Sequence, residues 1–164
     1  MNVAGRVVGD RALGRWCGRV AGLLRERGAA PGVLVAVMLP DGPEFGIVVY
    51  GVLWAGGVVA PVRAGRSADE IAEHTRDAAF LFAWHTRAEI ADAATRRSGT
   101  PCVFVVPGEF QRLLRTVRPV PAPVPRRPAD PALRLPGSTL THGDLARHTG
   151  IPDLRRFTHD SRSI

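Results

Sequence analysis

Residues Phe45 to Val62 read FGIVVYGVLWAGGVVAPV, 18 consecutive residues without a charge, and whatever fold this chain adopts has to hide them. A run of that length raises the question of a membrane span. Its interior answers the question: Gly56-Gly57 interrupt the helical stretch and Pro61 closes a β-branched one, so the segment reads as a buried helix followed by a buried strand. No membrane association is expected. Upstream, Val33 to Leu39 (VLVAVML) is a second apolar run, and its lack of alternation is the pattern of a parallel strand covered on both faces.

The rest of the chain alternates in the same way. Leu13, Trp16, Cys17, Val20, Leu23 and Leu24 recur at helical spacing, with Arg15, Arg19, Arg25 and Arg27 between them and Gly28 as a stop. Helices are expected from about Pro43 to Ala55, from Ser67 to about Ala78, over Arg87 to Arg97 and over Glu109 to Val117. The second of these opens on Ser67 and Glu70, a capping-box pair. Strands are expected at Val58–Val62, Phe80–Trp84 and Cys102–Val106. Strands alternating with helices imply parallel, right-handed crossovers, hence an α/β fold: a layered, mostly parallel sheet with helices on both faces. From Pro119 to Pro136 there are seven prolines in 18 residues, where a helix or central strand would lack backbone donors. The expected organisation is therefore an α/β domain over 1–118, a proline-rich linker or surface wrap over 119–136, and a short strand, helix and basic tail over 137–164. No internal repeat is visible.

Composition narrows the chemistry. At 164 residues, 45% hydrophobic and 23% charged, the chain fits one soluble globular domain. All 22 of its basic residues are arginine. Lysine Schiff bases and lysine phosphate clamps are thereby excluded. The net charge of +7 sits mostly beyond residue 110, where ten arginines face four acids. That region and its border hold few aromatics for stacking, Phe110 and Phe157, and no Gly-rich RNA signature, so a nucleic-acid partner is not expected. Cys17 and Cys102 fall in apolar elements, the usual place for reduced, buried thiols. Met1 to Asp10 carries no apolar core of secretory length, and a cytoplasmic location is expected.

Several segments resemble the adenylate-forming superfamily, which includes acyl-CoA synthetases, luciferases and nonribosomal peptide adenylation domains. LLRERGAAPGVLVAVMLPDGPEF is similar to that family's first helix, turn and first strand, and to the Pro-x-x-Pro-Glu-Phe start of its next helix. VLWAGGVVAPV resembles the following helix end and strand, and STLTHGDL, Ser138 to Leu145, resembles the segment after the family's phosphate-binding loop, with Asp144 in place of an Asn. The likeness covers roughly residues 10–149 and is strongest over 24–62. It implies the first subdomain of an acyl-CoA synthetase.

The departures bear on function. In the family, the loop before the Leu-Thr-His segment is rich in Ser, Thr and Gly, ends in Pro-Lys-Gly, and holds the ATP phosphates. Here Leu133 to Ser138 reads LRLPGS, so Pro136, Gly137, Ser138 and Thr139 are all that remains of it, without the lysine. A triphosphate cradle needs several converging N–H groups and a cation. Arg134 precedes the remnant and does not restore that geometry. The sequence also ends before the family's adenine- and acyl-binding segments and its mobile C-terminal domain. Neither a catalytic residue, a cofactor nor a metal is therefore expected.

Other groupings have plain readings. Ser138, His142 and Asp144 carry the letters of a hydrolase triad, yet lie within seven residues, where helix capping is the expected role. His142, His148 and His159 have irregular gaps and no partnering Cys, so zinc is not expected. His74 and His85 read as surface or loop residues. Asp69, Glu70, Glu73 and Asp77 read as a solvated helix face, and Trp16, Trp54 and Trp84 as core. The expectation is a catalytically inactive relative of acyl-CoA synthetases acting by interaction, as a homo-oligomer or with a larger ligase. The alternatives are the N-terminal subunit of a split ligase, a protein that binds an acyl group or carboxylic acid without activating it, and a decayed reading frame that still folds.

Overall fold

The computed structural model describes Asn2–Val3, Arg6–Val7 and residues 10–147. Asn2–Val3 (β1) and Arg6–Val7 (β2) form a short antiparallel pair that the sequence pattern does not announce. Then follow α1 (Asp10–Glu26), β3 (Leu34–Met38), α2 (Pro43–Trp54), β4 (Val58–Pro61), α3 (Ala68–Thr75) and β5 (Phe80–Trp84). After a 3-10 turn come α4 (Ala88–Ser98), β6 (Cys102–Val105), α5 (Glu109–Thr116), β7 (Pro131–Leu135), β8 (Ser138–Thr141) and α6 (His142–Arg147). The main sheet has six strands in the order β6-β5-β3-β4-β7-β8. All its pairings are parallel except β7 with β8. The fold is thus the expected layered α/β sheet, and the 18-residue uncharged run is a helix and a strand.

Period-2 geometry divides the strands between two cores. Val35 and Val37 of β3, with Phe80 and Phe82 of β5, face the cluster that contains α1, α2 and α5. Leu34, Ala36 and Met38, with Leu81 and Ala83, face the opposite cluster, where α3 and α4 pack. The second layer is built from small side chains (Ala60, Ala72, Ala91 and Ala94), so its helices ride close to the sheet. On the first face α1 and α2 approach more closely still, because a methyl group placed on Gly51 would run into the Val20 side chain.

Two boundaries differ from the sequence expectation, each for a physical reason. Helix α3 keeps its Ser67–Glu70 capping box but stops at Thr75. The Thr75 carbonyl accepts from the Thr100 hydroxyl at 2.8 Å, a buried bond that ties the helix end to the start of β6. The proline-rich segment, in turn, is not a linker throughout: Pro131–Leu135 is strand β7, between β4 and β8. Pro131 occupies the first strand position, where the missing N–H is tolerated, and Ala132 and Leu133 are buried.

Residues 118–130 run over the α1–α2 face as a pinned arm. Arg19 on α1 holds its start, donating from Nη1 to the carbonyls of Leu114, Arg115 and Val117 at 2.8–3.0 Å. The Val120 N–H donates to Gly18 O and the Val124 N–H to Trp54 O, both at 2.8 Å. Gly18 leaves the room for this, since a Cβ there would stand 2.6 Å from Val120 O. The α1–α2 crossing gives a direct test. Gly51→Ala should cost about 2 kcal/mol through overpacking, read as a fall in Tm of about 4–8 °C; an unchanged melt would contradict the close approach.

Candidate functional site

The residues that the resemblance sets at the phosphate loop, Pro136 to Thr139, fall at the turn of the β7–β8 hairpin and the start of β8. Leu135 pairs with Ser138, so the connection is two residues long, Pro136-Gly137, with Gly137 at φ 76°. Proline followed by a positive-φ glycine is the type II turn sequence. Ser138 and Thr139 are exposed and lie in β8, opposite Leu135 and Arg134. They belong to an edge strand that pairs with β7 on one side. Of the two turn residues only Gly137 has an N–H, since proline lacks one.

Of the three triad letters, Asp144 makes the capping bonds, with Thr141. Asp144 Oδ2 accepts from the Thr141 N–H and hydroxyl at 2.8 Å each, while the Asp144 N–H donates to Thr141 Oγ1 at 3.1 Å. These bonds, the Thr141 backbone first, hold the Asp144 carboxyl down at about 2. Ser138 stands at the opposite end of β8 from His142, so no Ser–His pair forms. The acidic set is likewise dispersed. Glu70 caps α3, Asp69 pairs with Arg97 at 3.3 Å, Glu73 is exposed, and Asp77 lies beyond the helix end. Among the described residues, no group of three or more His, Cys, Asp or Glu side chains is placed to hold a metal. His148 and His159, like Phe157, lie outside the described residues.

Several side chains sit differently from expectation. His74 is on α3 rather than a loop, half-buried, with Nε2 enclosed and without a hydrogen-bond partner. Burial, and then the guanidiniums of Arg66 and Arg134, push its pKa down. His85 is exposed, as read, with its ring 5.0 Å from that of Trp84. The three tryptophans are only partly buried, at the margin of the core, where Trp16 and Trp54 make cationic and polar contacts. Arg115 lies 5.9 Å from the Trp16 ring, and Trp54 Nε1 donates to Val120 O at 3.1 Å. Of the cysteines, Cys17 is buried and Cys102 half-buried, and desolvation raises both thiols to about 12.

Where the strand order reverses, between β3 and β5, an open α/β sheet commonly offers a ligand crevice. That ground is bridged here: Gln111 at the start of α5 donates to Glu44 at the start of α2 at 2.7 Å. A cavity of about 400 Å³ lies elsewhere, between α1, α2, the arm and the start of α6. Leu13, Leu53, Trp54 and Val124 supply apolar walls, and Tyr50, Arg126 and His142 the polar ones. No spacing in the sequence marks it, since its walls come from segments more than a hundred residues apart. It also lies at the end of β8 away from the hairpin turn, because β8 runs antiparallel and α6 starts at its far end.

The model of the AMP-binding enzyme family matches residues 11–134, and the chain belongs to that family. It is similar in fold to ATP-bound MatB from Rhodopseudomonas palustris, at TM-score 0.77 and 23% identity, over 88% of this chain and 31% of that one. A benzoate CoA ligase from Burkholderia xenovorans LB400 gives TM-score 0.77 at 19% identity, over 84% of this chain and 30% of that one. The N-terminal domain of FACL13 from Mycobacterium tuberculosis gives TM-score 0.65 at 22% identity, over 75% and 33%. The chain thus spans about a third of the length of each. A search of the curated proteins finds no match.

The two half-buried histidines set a pH dependence. His74 and His142 both have pKa values lowered from 6.5, chiefly by burial. Above that value the imidazoles are neutral folded or unfolded and stability is unaffected. Below it, the unfolded chain takes up protons that the folded chain refuses, so stability falls until the pH passes the lowered folded values. Urea midpoints should therefore decline from pH 7 to pH 5, and His74→Gln should flatten the decline. Equal slopes in variant and parent would refute the assignment.

Proposed function

We propose that this chain is a non-adenylating member of the AMP-binding enzyme family that works by protein–protein interaction. The observation that supports this reading is the two-residue Pro136-Gly137 connection, placed where the resemblance sets the phosphate loop. Positioning a triphosphate takes several converging amides and a cation, and catalysis of adenylation depends on that positioning. A hairpin turn with one N–H does not provide it, and the sequence contains no lysine to assist. Fold likeness to ligases does not offset this, because chemistry resides in the site.

Two surface features support interaction. Phe104 on β6 is 41% exposed at one edge of the sheet. At the other edge β8, last in the strand order among the described residues, has an outer side that no strand covers. Open edges and exposed aromatics are ordinary docking features. The partner in this reading is a second copy of the chain or a larger ligase.

The edge at β8 also favours a second reading, in which a separate polypeptide extends this sheet and contributes the ATP-binding elements of a split ligase. Carboxylate-dependent pyrophosphate exchange separates the two. The purified chain alone should give no exchange and light scattering should show a dimer or complex. Exchange by the chain alone would overturn both readings, whereas exchange appearing only with an added partner would establish the split ligase. A clean monomer at micromolar concentration would count against self-association.

A further inference from the structure

Among the described residues two large apolar side chains are exposed, Phe104 at 41% and Leu113 at 38%, and both lie at one edge of the sheet. Strand β6 has β5 on one side and no described strand on the other. Its residues, Cys102–Val105, include neither a charge nor a proline, two of the usual devices that keep an open edge from pairing. Pro101 O accepts from the Leu81 N–H at 2.9 Å, so alternation along the strand turns the N–H and C=O groups of Cys102 and Phe104 outward. Leu113 belongs to the layer on one face of this strand. Phe110 and Leu114 of α5 are buried and Arg115 lies over Trp16 of α1, so helical spacing projects Leu113 from the side of α5 away from α1, above the open edge.

We propose that β6 is the seam of a homodimer, pairing antiparallel with β6 of a second copy about a two-fold axis at Phe104, so that the two sheets join into one. The inference rests on the reading of the chain as an interacting protein and names the partner and the edge it uses. Heights along the edge select the register. Phe104 is two strand residues from Val106, and Leu113 is four helical residues from Glu109, so each stands roughly 6 Å from the turn that joins β6 to α5. An axis at Phe104 sets that residue against its own copy, in a pair that exchanges both backbone hydrogen bonds, and sets Leu113 against its own copy in the layer above. On the other face, α4 carries the exposed Asp92–Arg96 ion pair. Asp92 stands beside the strand, since the Cys102 thiol is raised first by burial and then by the Asp92 charge. Position 94, midway between the two charges, is four helical residues from Ser98, and Phe104 is two strand residues from Cys102, again equal heights. The same axis therefore sets Asp92 opposite the second copy's Arg96, and Arg96 opposite its Asp92. Backbone groups, apolar side chains and charges are each complementary to themselves, the condition of an isologous interface, whereas an unrelated chain is not bound to match all three. At the opposite edge, β8 presents exposed Ser138 and Thr139 and no exposed large apolar side chain.

Sedimentation equilibrium on the full chain should show a dimer. Phe104→Lys and Leu113→Asp, both at exposed positions, should each raise its dissociation constant at least about ten-fold while the chain keeps its far-UV spectrum. Charge exchange tests the register. Asp92→Arg alone places like charges at both contacts across the seam, as does Arg96→Asp alone, and each should weaken self-association about ten-fold. Mixing these two variants should restore association as a one-to-one heterodimer, because arginines at positions 92 and 96 of one chain then meet aspartates at positions 96 and 92 of the other. A dimer that persists at parent strength in all four variants, or a mixture that forms no heterodimer, would overturn the β6 seam and leave the interaction reading to another face. A parent that stays monomeric throughout the concentration range would also overturn the seam, with association to a larger ligase left as the interacting form. Pyrophosphate exchange by the chain alone, by contrast, would overturn the non-adenylating reading without moving any of these dissociation constants.

Discussion

The architecture rests on how closely backbone can approach helix α1. Gly51 lets α2 cross against Val20, and Gly18 and Gly22 let the carbonyls of Val120 and Arg118 lie where side chains would otherwise stand. An ordinary side chain at any of these positions would separate the layers. The consequence reaches beyond helix packing, because the arm that lies along α1 is the tether of β7. With Arg19 gathering the last carbonyls of α5 and Gly18 accepting from Val120, the chain is led from β6, at one edge of the sheet, back to a place beside β4. The sheet extension, the hairpin turn and the cavity all follow from that path.

What could be read in advance was whatever is encoded locally. The doubly buried strands have continuous apolar stretches, the α3 cap has its Ser67 and Glu70, and Gly28 and Gly99 adopt positive φ just after their helices. Strand β7 escaped because it is five residues long, opens on a proline, and is embedded in a segment whose proline content argues against any ladder. Its attachment to β4 is a single parallel register pair, Val59 with Leu133, so no longer periodic signal existed to be found. The tryptophans misled for a related reason. An apolar neighbourhood in sequence says that a side chain is near the core, whereas Trp54 is set at the margin by a carbonyl, Val120 O, 66 residues away.

The candidate site divides in the same way. That LRLPGS offers few loop donors was legible from the sequence alone, since residue types and their number bound what a loop can do. The cavity was not legible, because no local pattern ties Leu13 and Tyr50 to Arg126 and His142; they meet only once the arm is pinned. His74 shows the intermediate case. Its helical position was within a predicted element, but one of the charges that act on it, Arg134, belongs to β7, which no local pattern placed beside α3.

These observations tie the cavity to the fold. The arm forms one wall, and the same arm delivers β7 to the sheet, so anything that fills the cavity acts on the stability of the hairpin. A ligand that binds only the assembled form raises the stability of that form by an amount set by its concentration relative to its Kd. The linkage is reciprocal: a partner that extends the sheet along β8 would favour the assembled arm and hence the filled cavity.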